Sequence, residues 1–270
     1  MRGALIYDSV GKARNEWFIG RLTESAEALG HHLDLVVCDG EYEVEGDADF
    51  AIVRTINPRI NEHLERLGVP TFNNAKTSRI ANDKWQTYLL AKEVGIPVMD
   101  TKKPTSLQSA TASFPYPFVV KAVDGHGGSE VFSVKDEEEC REVISRIGLH
   151  RIITQELCSE VGVDMRVYML GGEILAAAKR TSHSDFRSNF SLGGSAEIVD
   201  VPNEIKGILK TVYGSLRCDF VGVDFIRHGG KWILNEIEDV VGTRMLYSLT
   251  DVDAAKIYVE YVIKKLTDKQ

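Results

Sequence analysis

The 270-residue chain has few of the features that narrow a function quickly, and each absence removes a class. Cysteine is scarce and scattered. Cys38, Cys140, Cys158 and Cys218 form no C-x-x-C pair, which argues against a disulfide framework and for small buried hydrophobes. The 7 histidines are dispersed and no H-E-x-x-H occurs, so a zinc site of that kind is not expected. No apolar run approaches membrane-spanning length, and MRGALIYDSV lacks the charged-then-apolar order of a secretory signal. A membrane role is therefore not expected, and the cytoplasm is the expected compartment. Basic charge is not in excess: 32 Lys and Arg against 40 Asp and Glu give a formal net charge of -8. That balance argues against nucleic acid as a partner, while leaving room for a local cationic channel. Repeats and low-complexity linkers are also missing, so the lobes of the chain should pack closely.

What is present is the composition of a globular protein, 43% hydrophobic and 27% charged, laid out in three portions. In residues 1–78, ALIYDS, LDLVVCD, FAIVRT and VPTFN read as strands. Phe18, Leu22, Ala26 and Leu29 recur at helical spacing after the first, and NPRINEHLERLG supplies a second helix. This is the β-α-β-α-β order of a small parallel sheet. Its first turn holds Gly11 alone rather than G-x-G-x-x-G, so a dinucleotide site there is not expected. In residues 79–158, Asn82 is placed to cap a helix carrying Trp85, Leu89 and Val94. PFVVKAV and EVFSV flank a glycine-rich stretch as a hairpin, Asp136 with Glu139 marks a capping box, and RIITQEL is a further strand. In residues 159–270, DMRVYML, EILAAAKR, AEIVDV, FVGVDFI and KWILNEIE read as strands. One helix is expected near residues 203–217, and a last one carries Ala255, Val259, Val262 and Leu266.

Three segments carry chemistry. In VVKAVDGHGGSEVF, Lys121 lies on a strand and Gly125, Gly127 and Gly128 follow in a loop. Without a Cβ, backbone N–H groups can approach phosphate oxygens, and the lysine adds a point charge. Near the C-terminus, Glu236 and Glu238 are two apart on one strand and share a face, while Asp224 lies on its hairpin partner. Gathered carboxylates on an apolar hairpin require a cation, and hard oxygen donors suit magnesium. Between these segments Arg166, Lys179, Arg180 and Arg187, with Asn189 close behind, could stabilise charge on a transferring phosphoryl group. Plainer readings stand beside each: a flexible hairpin with an exposed lysine, an acidic face paired with lysines, and surface ion pairs.

Taken in order, NDKWQTYLLAKEVGIPV, VVKAVDGHGGSEVF, ITQEL, DMRVYMLGGEILAAAKR, FRSNFSLGG, GVDFI and NEIE resemble the ATP-grasp superfamily, and within it the RimK-type glutamate ligases near glutathione synthetases. The resemblance covers residues 75–245, with D-x-R, FRSN and the Gly-Gly pair as its most specific part. It implies an α+β ATP-grasp fold behind a small N-terminal α/β parallel-sheet domain. It also implies an ATP- and magnesium-dependent ligase that joins a carboxylate to an amine, amino-acid or peptide-like, through an acyl phosphate. Lys84 and Lys121 would contact the α- and β-phosphates and the adenine side, and Gly125, Gly127, Gly128 and Ser129 would close over the β- and γ-phosphates. Gln155, Glu156 and the backbone of Leu157 would face the adenine edge, Asp164 would lie near the ribose, and Lys179 would join the nucleotide set. Arg166, Arg187 and Asn189 would sit near the γ-phosphate. Asp224, Glu236 and Glu238 would hold two magnesium ions, with manganese as a substitute.

The chain departs from that pattern at three places. Glu238 stands where relatives carry Asn, Ala122 and His126 replace a common proline and a common small residue, and DVVGTRML replaces a proline–glycine stretch. Within that last segment, Arg244 is a candidate grip for a substrate carboxylate, against a salt bridge to Glu238 or Asp239. A non-catalytic ATP-binding protein, as synapsins are on this fold, and a phosphoryl-transfer enzyme are the alternative functions. A homo-oligomer is compatible with all of them.

Overall fold

The computed structural model describes residues 1–40, 48–182 and 195–268. The N-terminal sheet is parallel, in the order β2-β1-β3-β4, built from β1 (Arg2–Tyr7), β2 (His32–Val37), β3 (Phe50–Val53) and β4 (Thr71–Phe72). Helices α1 (Ser9–Arg14), α2 (Glu16–Ala28) and α3 (Pro58–Arg66) connect the strands. Alternation along each strand sends side chains to two cores. Leu5, Tyr7, Phe50 and Ile52 pack with Phe18 and Leu22 of α2, whereas Ala4, Ile6, Ala51 and Val53 pack with Ile60 and Leu64 of α3.

Two helices follow, α4 (Ala75–Ala81) and α5 (Lys84–Glu93). Asp83, not Asn82, caps α5: its side chain accepts from Trp85 N and Gln86 N, while Asn82 ends α4. The central sheet is antiparallel, β5 (Thr101–Lys102), β8 (Ile152–Glu156), β6 (Phe118–Ala122) and β7 (Val131–Val134) side by side in that order. After α6 (Leu107–Thr111), helix α7 (Glu137–Ile147) covers this sheet through Cys140, Ile144 and Ile147. Asp136 caps α7 by accepting from Glu139 N at 2.9 Å, but Glu139 reaches back to Lys135 N rather than closing the box on Asp136.

The third sheet runs β11 (Ser195–Ile198), β10 (Glu173–Thr181), β9 (Glu160–Leu170), β12 (Phe220–His228) and β13 (Lys231–Glu238), all antiparallel. One face, with Met165, Val167, Val223 and Phe225, is covered by α8 (Asn203–Leu216) and by Ile80, Ala81 and Ala91 of α4 and α5. On the other face Tyr168, Leu170, Ala178 and Phe220 join the N-terminal core through α10 (Ala254–Thr267), whose Tyr258, Val259 and Val262 lie between the sheets. Short α9 (Arg244–Leu249) precedes α10. The mixed helix-and-sheet class and the N-terminal parallel sheet are as the sequence led us to expect. The short helices α1, α4, α6 and α9 were not anticipated.

Candidate active site

The cleft lies between the central sheet and the charged half of the C-terminal sheet. Lys121 comes from β6, Lys84 from the first turn of α5, and Glu156 and Leu157 from the end of β8. Asp164 belongs to β9, Asp224 to β12, and Asn235 and Glu236 to β13, and all line one cavity with Gly128 of the glycine loop. Its free volume is about 100 Å³, below the few hundred that ligand pockets usually offer.

Strand β13 is shaped by a bulge. Asp224 is registered against Glu236, but the next partner of β12, Phe225, faces Leu234, so Asn235 is an extra residue. Leu234 thereby stays in the core while Asn235 and Glu236 both turn into the cleft. Asn235 Oδ1 accepts from Lys121 Nζ at 3.0 Å, and Lys84 Nζ pairs with Glu236 Oε2 at 3.2 Å and donates to the Gly125 carbonyl. A carboxylate oxygen from each of Asp224, Glu236 and Glu238 lies within 4.8 Å of the others. The expected juxtaposition of β12 and β13 thus occurs.

Cations interleave with these carboxylates. Arg166 grips Asp224 at two points, Nε–Oδ1 2.8 Å and Nη2–Oδ2 2.7 Å, and also pairs with Glu238. Arg180 holds Asp164 at 2.5 and 2.8 Å and reaches Asp224 Oδ2 at 2.9 Å. Burial works against ionising Asp224, yet Arg166 and Arg180 prevail and hold it well below the usual carboxylate range. Glu238, with one cation beside it and two acidic neighbours, is instead pushed up to about 7 by burial. Burial also brings Lys121 down to about 8 despite Glu236 nearby.

The remaining residues singled out from sequence are placed as follows, with Lys179 turned away from the cleft. Lys179 lies on the strand face opposite Arg180 and pairs with Glu197 at 3.4 Å, so Arg180 is the β10 cation of the site. Asp164 borders the cavity but its carboxylate is engaged by Arg180. Gln155 lines the cavity while its amide donates to Thr101 Oγ1 at 2.9 Å. Ser129 Oγ donates to the His126 carbonyl within the glycine loop. Arg244 is exposed and donates to Arg14 O at 3.1 Å, and among the described residues it makes no pair with Glu238 or Asp239. Arg187 and Asn189 lie outside the described residues. The sequence pointed to Arg180 only as one cation of its segment and to Asn235 not at all; adjacency to Lys179 and Glu236 was the sole signal for placing them in the site.

The description of a RimK-like ATP-grasp domain fits residues 81–262. The glutamate–LysW ligase ArgX of Sulfurisphaera tokodaii is 27% identical over 232 residues, 80% of this chain and 82% of that protein. A probable alpha-L-glutamate ligase of Methanococcoides burtonii is 26% identical over 284 residues, covering 94% of each. Among solved structures, a D-alanine–D-alanine ligase of Bacillus anthracis matches with a TM-score of 0.78 at 17% identity, over 100% of both chains, which speaks for the fold. The match spans two thirds of the sequence: the chain belongs to the RimK-like ATP-grasp family of ATP-dependent carbon–nitrogen ligases.

Proposed function

We propose that this protein joins the carboxylate of an amino-acid or peptide-like substrate to an amine, through an acyl phosphate made at the expense of ATP. The observation that carries the reading is one cleft in which three carboxylates meet within 4.8 Å, bordered by Lys84, Lys121 and Arg166. ATP-grasp ligases bind ATP with magnesium, and an all-oxygen carboxylate set fits that ion. Asp224, Glu236 and Glu238 would hold two ions, which screen phosphate charge when bound.

The chain's own residues then do four things. Lys84 and Lys121 fix the α- and β-phosphates, and the loop from Gly125 to Ser129 shields the γ-phosphate from water. Arg166, with Arg187 and Asn189, neutralises charge on the phosphoryl group and on the acyl phosphate that the amine attacks. Glu156 and Leu157 orient the base. Little covalent chemistry falls to the protein, and positioning supplies most of the rate.

The acid and amine are proposed to enter from the N-terminal sheet. Asp8, Asp39, Thr55 and Asn57 lie at the carboxyl ends of β1, β2 and β3, around a cavity of about 780 Å³ walled by Arg59, His63 and Arg66 of α3. Crevices at the carboxyl ends of open α/β sheets are favoured ligand sites where the strand order reverses, here between β1 and β3. Mixed charge there suits a zwitterionic or acidic amino acid, which accords with relatives named as glutamate ligases. A cytoplasmic location and self-association belong to the same proposal; among described residues no helix is long and apolar enough to cross a membrane.

The test is Glu236→Gln with acid–amine mixtures. Release of ADP should fall roughly 10²–10³-fold, the scale of losing one preorganised electrostatic partner, while the circular dichroism spectrum stays unchanged. Near-normal turnover of the variant at saturating magnesium would remove Glu236 from the metal set.

A further inference from the structure

The glycine loop poses an electrostatic problem. It opens with Asp124 and closes with Glu130, so two carboxylates flank a segment meant to approach phosphate oxygens. Arg151, just before β8 and outside the cleft, faces both. Its Nη2 donates to Asp124 Oδ1 at 2.7 Å and to Glu130 Oε2 at 3.2 Å, and its Nε lies 3.2 Å from each Asp124 oxygen. The same residue's carbonyl accepts from Val123 N at 2.7 Å, so backbone and side chain together hold the first stem.

The stems are also close to one another. Ala122 N donates to Glu130 O at 3.0 Å, and a Cβ added at Gly125 would lie 3.1 Å from Glu130 Cβ and 3.2 Å from Ala122 Cβ. On the inner side Lys84 holds the Gly125 carbonyl while pairing with Glu236. The loop is thus tied at its base from outside by one cation and at its middle from inside by another. Only the inner cation is within reach of the cleft contents, because Lys84 lines the cavity and Arg151 does not.

We propose that Arg151 is a positioning residue for the nucleotide: it staples the two stems of the glycine loop and cancels their charge, so that the loop moves as one flap whose inner catch is Lys84. This rests on the reading of the cleft as an ATP site. Phosphates that draw Lys84 away from Gly125 would release the catch, while the staple keeps both stems together as the flap swings. A guanidinium is needed for this because its fork engages two carboxylates at once, whereas an ammonium is a point charge.

The experiment uses the full chain, with hydrogen exchange read at amides 124–130 and affinity read for magnesium with a non-hydrolysable ATP analogue. Arg151→Ala should speed exchange of the loop without nucleotide and weaken the analogue about tenfold, consistent with one small ion-pair network. Arg151→Lys should recover part of both. The double variant Asp124→Asn with Glu130→Gln, which keeps Arg151 but removes its partners, should loosen the loop as Arg151→Ala does. If that double variant keeps wild-type protection, or if a folded Arg151→Ala leaves both exchange and affinity unchanged, the staple is wrong. Should Arg151→Ala fail to fold, the double variant and Arg151→Lys decide alone. If the wild-type chain binds no analogue, the ATP reading fails, and the exchange data still judge the staple.

Discussion

On one face of the C-terminal sheet, a step of two residues along β9 separates two environments. Tyr168 and Leu170 lie in the core shared with α2 and α10, beside Ala178 and Phe220. Arg166 and Asp164, on the same face, lie among Asp224, Arg180 and Glu238. Both halves are buried: Tyr168 is 1% exposed and Asp224 3%. The difference is what covers them. The apolar half meets a helix that supplies matching surface, so burial stabilises it directly. The charged half meets the cleft, so burial is tolerable only because each carboxylate has a cation and each cation a carboxylate. Stability and function draw on the same strand but by opposite means.

The sharpest way to break this contrast is to unpair the charged half. Asp224→Asn leaves Arg166 and Arg180 without their common partner and should cost about 3–5 kcal/mol, the range for breaking a buried ion pair. Tyr168→Phe deletes one hydroxyl that donates to Gly242 O at 3.2 Å and should cost about 1 kcal/mol. Urea unfolding of both variants measures the pair. Equal losses would show that the network contributes nothing beyond ordinary packing.

A smaller effect is expected at the rim. Arg244 is exposed at the first turn of α9 and, among the described residues, donates to Arg14 O. If it grips a substrate carboxylate, Arg244→Lys should weaken the acid or amine substrate by about 1.5–3 kcal/mol, as for hydrogen bonds to charged groups. The KM for ATP should stay constant. Unchanged kinetics for every substrate would place Arg244 outside the site.

The smallest effect concerns pH. Lys121, brought down to about 8 by burial, carries a charge below that pH that the fold resists and that bound phosphates would require. Its folded value lies below its unfolded one, so this group's penalty to stability is present below pH 8 and relieved as pH rises toward its ordinary value near 10.5. Nucleotide affinity runs the other way, and KM for ATP should rise above pH 8. Lys121→Arg, which does not deprotonate, should flatten that rise. A KM profile indifferent to pH 7–9 in the wild type would exclude Lys121 from phosphate binding.

How much of this was legible beforehand depended on whether the signal was local. The strands were readable because runs such as ALIYDS and FVGVDFI are apolar on both faces, and the carboxylate set because a period of two puts Glu236 and Glu238 together. The start of α5 was not readable in that way. Asn82 and Asp83 are both good caps, and what separates them is that Asn82 donates to Asp239 Oδ2 at 3.2 Å across 157 positions of sequence. Likewise Lys179 and Arg180 are adjacent, and only the strand register, irregular between Ile174 and Ala176, shows which one faces Asp224. The bulge at Asn235 has no sequence mark at all. Arg151 belongs to no motif, because its partners stand 27 and 21 residues away.

Strand β13 is the last in its sheet, and a bare edge invites another chain to add a strand. Here the edge is partly spoken for. Leu234 N donates to Pro97 O at 3.0 Å, and Val98 forms a single parallel bridge to Leu234, so one rung of the segment leading into the central sheet occupies it. Beyond that rung come the bulge and two inward-pointing glutamates, features that natural sheets use against edge-to-edge growth. The strand that brings Glu236 and Glu238 into the cleft is therefore also poorly suited as a template for aggregation.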